Sequence, residues 1–132
     1  MTRIYLDPTA LVLPSGGPEI GDEHVAPGAT EAVAHLVDAG FDVILLRPAG
    51  ADPLRSLPAG VQPSPTLPEH LDPDAWYLTG EPYPHYGRPR GGTTVLVGPR
   101  RPVGKIPLPR FDMETRDIAS AAMEILTRQA MA

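Results

Sequence analysis

The feature that most constrains the fold is a helical pattern followed at once by a continuous apolar run. Apolar side chains recur at spacings of three and four, which is typical of one buried face of an α-helix. They are Ala29, Ala32, Val33, Leu36 and Val37. Gly40 stands where a helix commonly ends, because glycine adopts the left-handed backbone without strain. Residues 41–46 then have the length and apolar character of a parallel strand covered on both faces.

A further strand is predicted before the helix. The run Ile4-Tyr5-Leu6 is rich in β-forming residues, and Pro8 ends it because proline cannot donate to a strand ladder. Asp7 therefore lies at the carboxyl end of a strand. Strand, helix and strand in this order predict a βαβ unit, whose two strands run parallel.

The remaining pattern extends the sheet and adds a second helix. Residues 75–79 and 93–97 are β-prone runs, and residues 61–62 suggest a short edge strand. The final helix has Asp112 as its predicted N-cap. Its apolar positions are Ile118, Ala121, Ala122, Ile125 and Leu126. These alternating elements predict an α/β fold, a three-layer sandwich with a small, mainly parallel sheet of the Rossmannoid type.

The same pattern predicts the order of the strands. We expect the strand at residues 3–6 to lie between those at 43–47 and 75–79, with 93–97 outermost. In such sheets ligands bind at the carboxyl ends of the strands, so Asp7, Arg47 and Glu81 are expected at one edge.

Composition limits the classes of protein that fit. The 132 residues predict one domain, and 18 prolines with 13 glycines predict many loops. The chain has no cysteine, so disulfides and thiolate metal sites are excluded. No apolar run is long enough to span a bilayer, and the first residues do not resemble a signal peptide. We therefore expect a cytoplasmic protein with no membrane partner.

Charge is distributed unevenly along the chain. The net charge is −5, yet residues 83–110, here called the basic strap, contain no acidic residue. Its basic residues are Arg88, Arg90, Arg100, Arg101, Lys105 and Arg110. Such a segment is either an anion-binding surface or an internal partner for the acidic remainder. Nucleic acid is a third candidate partner, which the negative total charge opposes.

Four segments together resemble a known superfamily. An apolar strand ends in Leu6-Asp7-Pro8-Thr9-Ala10-Leu11, residues 27–47 run from helix to strand, and residues 76–81 and 91–99 each carry a strand followed by glycine. Over nearly its whole length the chain resembles the haloacid dehalogenase-like (HAD) superfamily. The resemblance implies a single HAD-like domain over residues 1–132 without a cap. It also implies that an aspartate ending the first strand attacks a phosphoryl group, and Asp7 falls at that position.

The chain departs from the family pattern at most of the other positions. Thr9 replaces a second acid, Arg47 replaces a serine or threonine, and no lysine is available for the third motif. Glu81 and His85 stand where aspartates are usual. The resemblance thus implies catalytic positions at Asp7 and Thr9. It implies a magnesium site at Asp7, Glu81 and His85 only if the active site is functional, and otherwise no cofactor.

Two functions follow from these departures. The first is a HAD-like domain with incomplete catalytic motifs, non-catalytic or weakly active, that binds a small anionic ligand such as phosphate or an acidic protein partner. Its expected ligand-binding residues are Arg47, Arg88, Arg90 and Lys105. The alternative is a magnesium-dependent phosphohydrolase with Asp7 as nucleophile, in which Arg47 supplies the missing positive charge.

Each candidate residue also has a structural interpretation. Asp7 can cap the Pro8-Thr9 turn, and Arg47 can be solvated or paired with Asp7. Glu81 and His85 can belong to a surface turn. Finally, the basic strap leaves one strand and brackets the next, so we expect it to lie over the edge that carries Asp7.

Overall fold

The computed structural model describes residues 2–11, 25–47, 57–80, 89–98 and 111–131. Within them, six strands form one sheet: β1 (Arg3–Leu6), β2 (Asp42–Leu46), β3 (Gln62–Ser64), β4 (Trp76–Thr79), β5 (Thr93–Val97) and β6 (Met113–Thr115). A 3-10 turn spans Pro8–Leu11, and the helices are α1 (Ala29–Asp38) and α2 (Ile118–Met131). Every pairing between neighbouring strands is parallel, so the predicted α/β class with a parallel sheet is confirmed.

The strands lie in the order β3-β2-β1-β4-β5-β6, which is a Rossmann-like arrangement. Tyr5 of β1 is in register with Ile44 of β2 and with Tyr77 of β4, as the predicted centre of the sheet requires. The expected outermost position of residues 93–97 is wrong, because β6 lies beyond β5. Three residues without hydrophobic alternation give no strand signal, so β6 is recognised only through its backbone hydrogen bonds to β5.

The sheet is covered on both faces, but the two covers differ. Helices α1 and α2 pack against each other and against one face, where the buried side chains of the strands include Ile4, Val43 and Leu78. The opposite face carries a second cluster. Its buried members are Tyr5, Leu46, Leu71, Ala75 and Tyr77. Among the described residues, an irregular segment containing Leu71 forms this second cover, so only one outer layer is helical.

Local sequence signals predict the end of α1 correctly but not the start of α2. Helix α1 ends before Gly40, which has a positive φ as predicted, and it follows Gly28, which also has a positive φ. Helix α2 begins later than predicted, because Asp117 rather than Asp112 is its cap. The Oδ1 atom of Asp117 accepts from the N–H of Ser120 at 2.7 Å, and this bond lowers the pKa of Asp117. Asp112 instead accepts from the N–H of Thr94 at 2.8 Å and so ties β6 to β5.

Candidate functional site

Asp7 directly follows β1 and is buried. The residue is only 2% exposed, and its Oδ1 atom accepts from the N–H of Thr9 at 3.0 Å and from the hydroxyl of Thr9 at 2.9 Å. Its Oδ2 atom accepts from the hydroxyl of Tyr77 at 3.2 Å. A carboxylate bonded to the N–H two residues ahead is an Asx-type turn cap, which was the structural interpretation of Asp7. Both carboxylate oxygens thus stabilise the fold.

Thr9 joins the exits of β1 and β4. Its hydroxyl oxygen accepts from the N–H of Gly80 at 2.9 Å and lies 3.5 Å from the hydroxyl oxygen of Thr79. A Cβ atom on Gly80 would overlap the carbonyl oxygen of Thr9 and lie 2.7 Å from its carbonyl carbon, so glycine alone permits this approach. In sheets with this strand order, ligands bind where the winding reverses, between β1 and β4. Here the contact between Thr9 and Gly80 occupies the position where that crevice begins.

Tyr77 and Gly80 belong to this network and were not singled out from the sequence. Alternation along β1 and β4 places Tyr5, Asp7 and Tyr77 on the same face of the sheet, so period-two patterning could have indicated Tyr77. Gly80 and Thr9 are far apart in the chain, so no local sequence pattern predicts the contact between them.

Arg47 follows β2 at the same edge of the sheet. Its backbone N–H donates to the carbonyl oxygen of Ser64 at 2.8 Å, which fixes its main chain beside β3. The residue is half-buried, and its Nη1 atom is buried without a hydrogen-bond partner within the described parts of the chain. Arg47 and Asp7 are both described, and the ion pair considered between them does not form. A permanently charged donor without an acceptor usually indicates a water or an ion that completes it.

Arg90 is not part of this edge. Its N–H donates to the carbonyl oxygen of Glu69 and its carbonyl oxygen accepts from Leu71, in an isolated bridge beside His70. These residues precede β4 and β5, and therefore lie at the amino ends of parallel strands. The expectation that this part of the basic strap covers the edge carrying Asp7 is wrong, because a connection between parallel strands must return to the opposite edge.

The other predicted site residues, Glu81, His85, Arg88 and Lys105, lie outside the described residues. In the described ranges, no three His, Asp or Glu side chains lie together as a metal site requires. Asp7 is 2% exposed and both its carboxylate oxygens accept hydrogen bonds, an arrangement that fits magnesium poorly because that ion keeps several waters around it.

The fold and the site together define a parallel α/β domain, at whose carboxyl edge the Nη1 atom of Arg47 is buried with no hydrogen-bond partner among the described residues. Comparison of this chain with family models, with curated proteins and with solved structures finds no match. In the described residues, neither helix has the length and apolar character that a membrane span needs.

Proposed function

We propose that this protein binds a small anion, carried by a phosphate or carboxylate group, at the carboxyl edge of its sheet, and that it does not transfer phosphoryl groups. The observation that carries the proposal is the Nη1 atom of Arg47, which is buried and has no hydrogen-bond partner in the described part of the chain. Leaving such a donor without an acceptor costs about 1–3 kcal/mol, more for a charged group, and an anion would offset that cost.

The state of Asp7 supports the non-catalytic part of the proposal. A carboxylate nucleophile needs an oxygen that can approach the reacting phosphorus atom. Both oxygens of Asp7 accept hydrogen bonds from Thr9 or Tyr77, and almost none of the residue is exposed. Attack would require these bonds to break first. Thr9, which stands where the family has a second acid, uses its hydroxyl to join Asp7 and Gly80 and cannot protonate a leaving group while it does so.

The family and the cellular location belong to the same proposal. A HAD-like domain with an incomplete catalytic set accounts for the motif departures at Thr9 and Arg47, and the absence of cysteine suits a cytoplasmic protein. The anionic group could also belong to an acidic protein partner. Arg88 and Lys105 remain predicted contributors to the positive surface.

Binding is tested by titrating the protein with inorganic phosphate and with acetate in a calorimeter. Arg47→Met keeps most of the side-chain length and removes the charge. We expect phosphate affinity to fall about tenfold, which is the effect of losing one charge-assisted hydrogen bond. Arg3→Gln is the matched control, because Arg3 is 54% exposed, pairs with Asp42 and lies at the other end of the sheet. Acetate distinguishes a general carboxylate site from one that prefers phosphate.

Stability separates a binding role of Arg47 from a structural one. Because the Nη1 atom of Arg47 has no hydrogen-bond partner to lose among the residues that the structure describes, Arg47→Met should leave the free energy of unfolding unchanged or raise it. If Arg47→Met binds phosphate as well as the wild type does, or if neither phosphate nor acetate binds, the proposed anion site is wrong.

Catalysis is tested with an aryl phosphate and magnesium. We expect no turnover above the buffer rate, against about 1–10³ s⁻¹ for ordinary enzymes. Turnover that Asp7→Asn abolishes would establish the phosphohydrolase instead.

A further inference from the structure

A second cleft lies at the opposite, amino-terminal edge of the sheet. It has a volume of about 430 Å³ and is formed between α2 and the amino ends of β1, β4 and β5. That volume is within the range of small-molecule sites. The lining residues that matter here are Thr2, Phe41, Asp74, Trp76, Ile125 and Arg128. None of them belongs to the site around Arg47.

The floor of the cleft is apolar and aromatic. Phe41 is 6% exposed, Trp76 is 8% exposed and Ile125 is 1% exposed, so the floor belongs to the buried core. Rings held in this way present a fixed surface to a flat ligand, and an indole face attracts cations through its quadrupole.

Asp74 is an acidic side chain on the rim of the cleft. The hydroxyl of Thr2 donates to its Oδ2 atom at 3.1 Å, and Asp74 pairs with no basic side chain in the described part of the chain. Gln129 also lines the cleft and belongs to the last turn of α2, which is the negative end of the helix dipole. Asp74 therefore offers an acceptor to a cationic ligand.

Arg128 shows that the tryptophan face already accepts such a group. Its guanidinium carbon lies 5.8 Å from the centre of the Trp76 ring, and its Nε atom lies 4.0 Å from Oε2 of Glu124. Both charged side chains are more than half exposed, so this pair contributes little to stability. Arg128 can leave the ring at small cost and stay paired with Glu124.

We propose that this cleft binds a small, planar organic cation of the amidinium or guanidinium type that carries an apolar ring. The cationic head pairs with Asp74 and takes the place of Arg128 over Trp76, while the ring packs beside Phe41. The proposal is independent of the anion site, since the two lie at opposite edges of the sheet.

Three isosteric probes test the charge preference. Benzamidine is a cation, benzamide is neutral and benzoate is an anion, and all three share one ring. Trp76 is the one tryptophan in the chain, so its fluorescence reports the cleft directly. We expect saturable quenching by benzamidine and at least tenfold weaker binding of benzamide and benzoate. Equal affinities for benzamidine and benzamide, or no saturable response to benzamidine, would overturn the proposal.

Two variants and a control then locate the contacts. Asp74→Asn should weaken benzamidine binding about tenfold, whereas Asp72→Asn, an exposed acid outside the cleft, should not change it. Arg128→Gln should strengthen the binding several-fold, because it removes a competing cation from the ring. A weaker affinity in Arg128→Gln, or the same loss in both aspartate variants, would show that the cleft does not select a cation in this way.

Discussion

Replacing Asp7 tests whether this carboxylate stabilises the fold. Asp7→Ala removes the acceptor of three hydrogen bonds, donated by the N–H and hydroxyl of Thr9 and by the hydroxyl of Tyr77. At about 1 kcal/mol each, the free energy of unfolding should fall by about 3 kcal/mol. Asp7→Asn keeps the Oδ1 acceptor for both Thr9 bonds and loses only the bond from Tyr77, so we expect a loss of about 1 kcal/mol.

Urea unfolding followed by the fluorescence of Trp76 measures both values. Asp38→Ala is the control, because Asp38 is an exposed residue at the end of α1 and its loss should change stability by less than about 0.5 kcal/mol. The reasoning fails if Asp7→Ala unfolds within about 1 kcal/mol of the wild type. It also fails if Asp7→Asn costs as much as Asp7→Ala, because the effect would then come from charge and not from the hydrogen bonds.

Three further predictions concern neighbouring features. Gly80→Ala should lower the free energy of unfolding by about 1–3 kcal/mol, because the added methyl group meets the backbone of Thr9; unchanged stability in urea would contradict the close contact. Asp117→Ala should cost about 1 kcal/mol at neutral pH through loss of the α2 cap. The pKa of Asp117 is lower in the folded state than in the unfolded state, so the stability difference between wild type and Asp117→Ala should persist above about pH 4. It should shrink in urea titrations at more acidic pH, where Asp117 becomes protonated. A stability difference that does not change with pH would contradict the capping role of the Asp117 carboxylate.

The centre of the sheet could be predicted because its signals are local. In β1, β2, β4 and β5 the apolar runs are each long enough to show on their own, and α1 has both a periodic face and a terminal glycine. Strand β6 has three residues and shows neither an apolar run nor a periodic apolar face. It exists because the backbone of β5 offers hydrogen bonds that Gly98 and Asp112 complete.

The site could be predicted only in part, since its chemistry depends on residues far apart in sequence. The position of Asp7 at a strand end followed from Pro8, but the choice between nucleophile and cap depends on Tyr77, 70 residues away. Asp112 and Asp117 are equally good capping residues by type, and tertiary hydrogen bonds decide between them. Arg90 could have been placed correctly, because the parallel arrangement predicted for β4 and β5 already requires the chain to change edges before β5.

The central position of β1 affects how the protein folds during synthesis. Strand β2 can pair with β1, and β3 with β2, as soon as each leaves the ribosome, but the other edge of β1 stays open until β4 emerges. The face of α1 that contacts α2 stays open longer still, until residues 118–131 are made. A nascent chain therefore exposes a strand edge and an apolar helix face at the same time, which are the surfaces that aggregate or recruit chaperones. Among the described elements, α2 is the one that covers the helical side of the first βαβ unit, and it is made last.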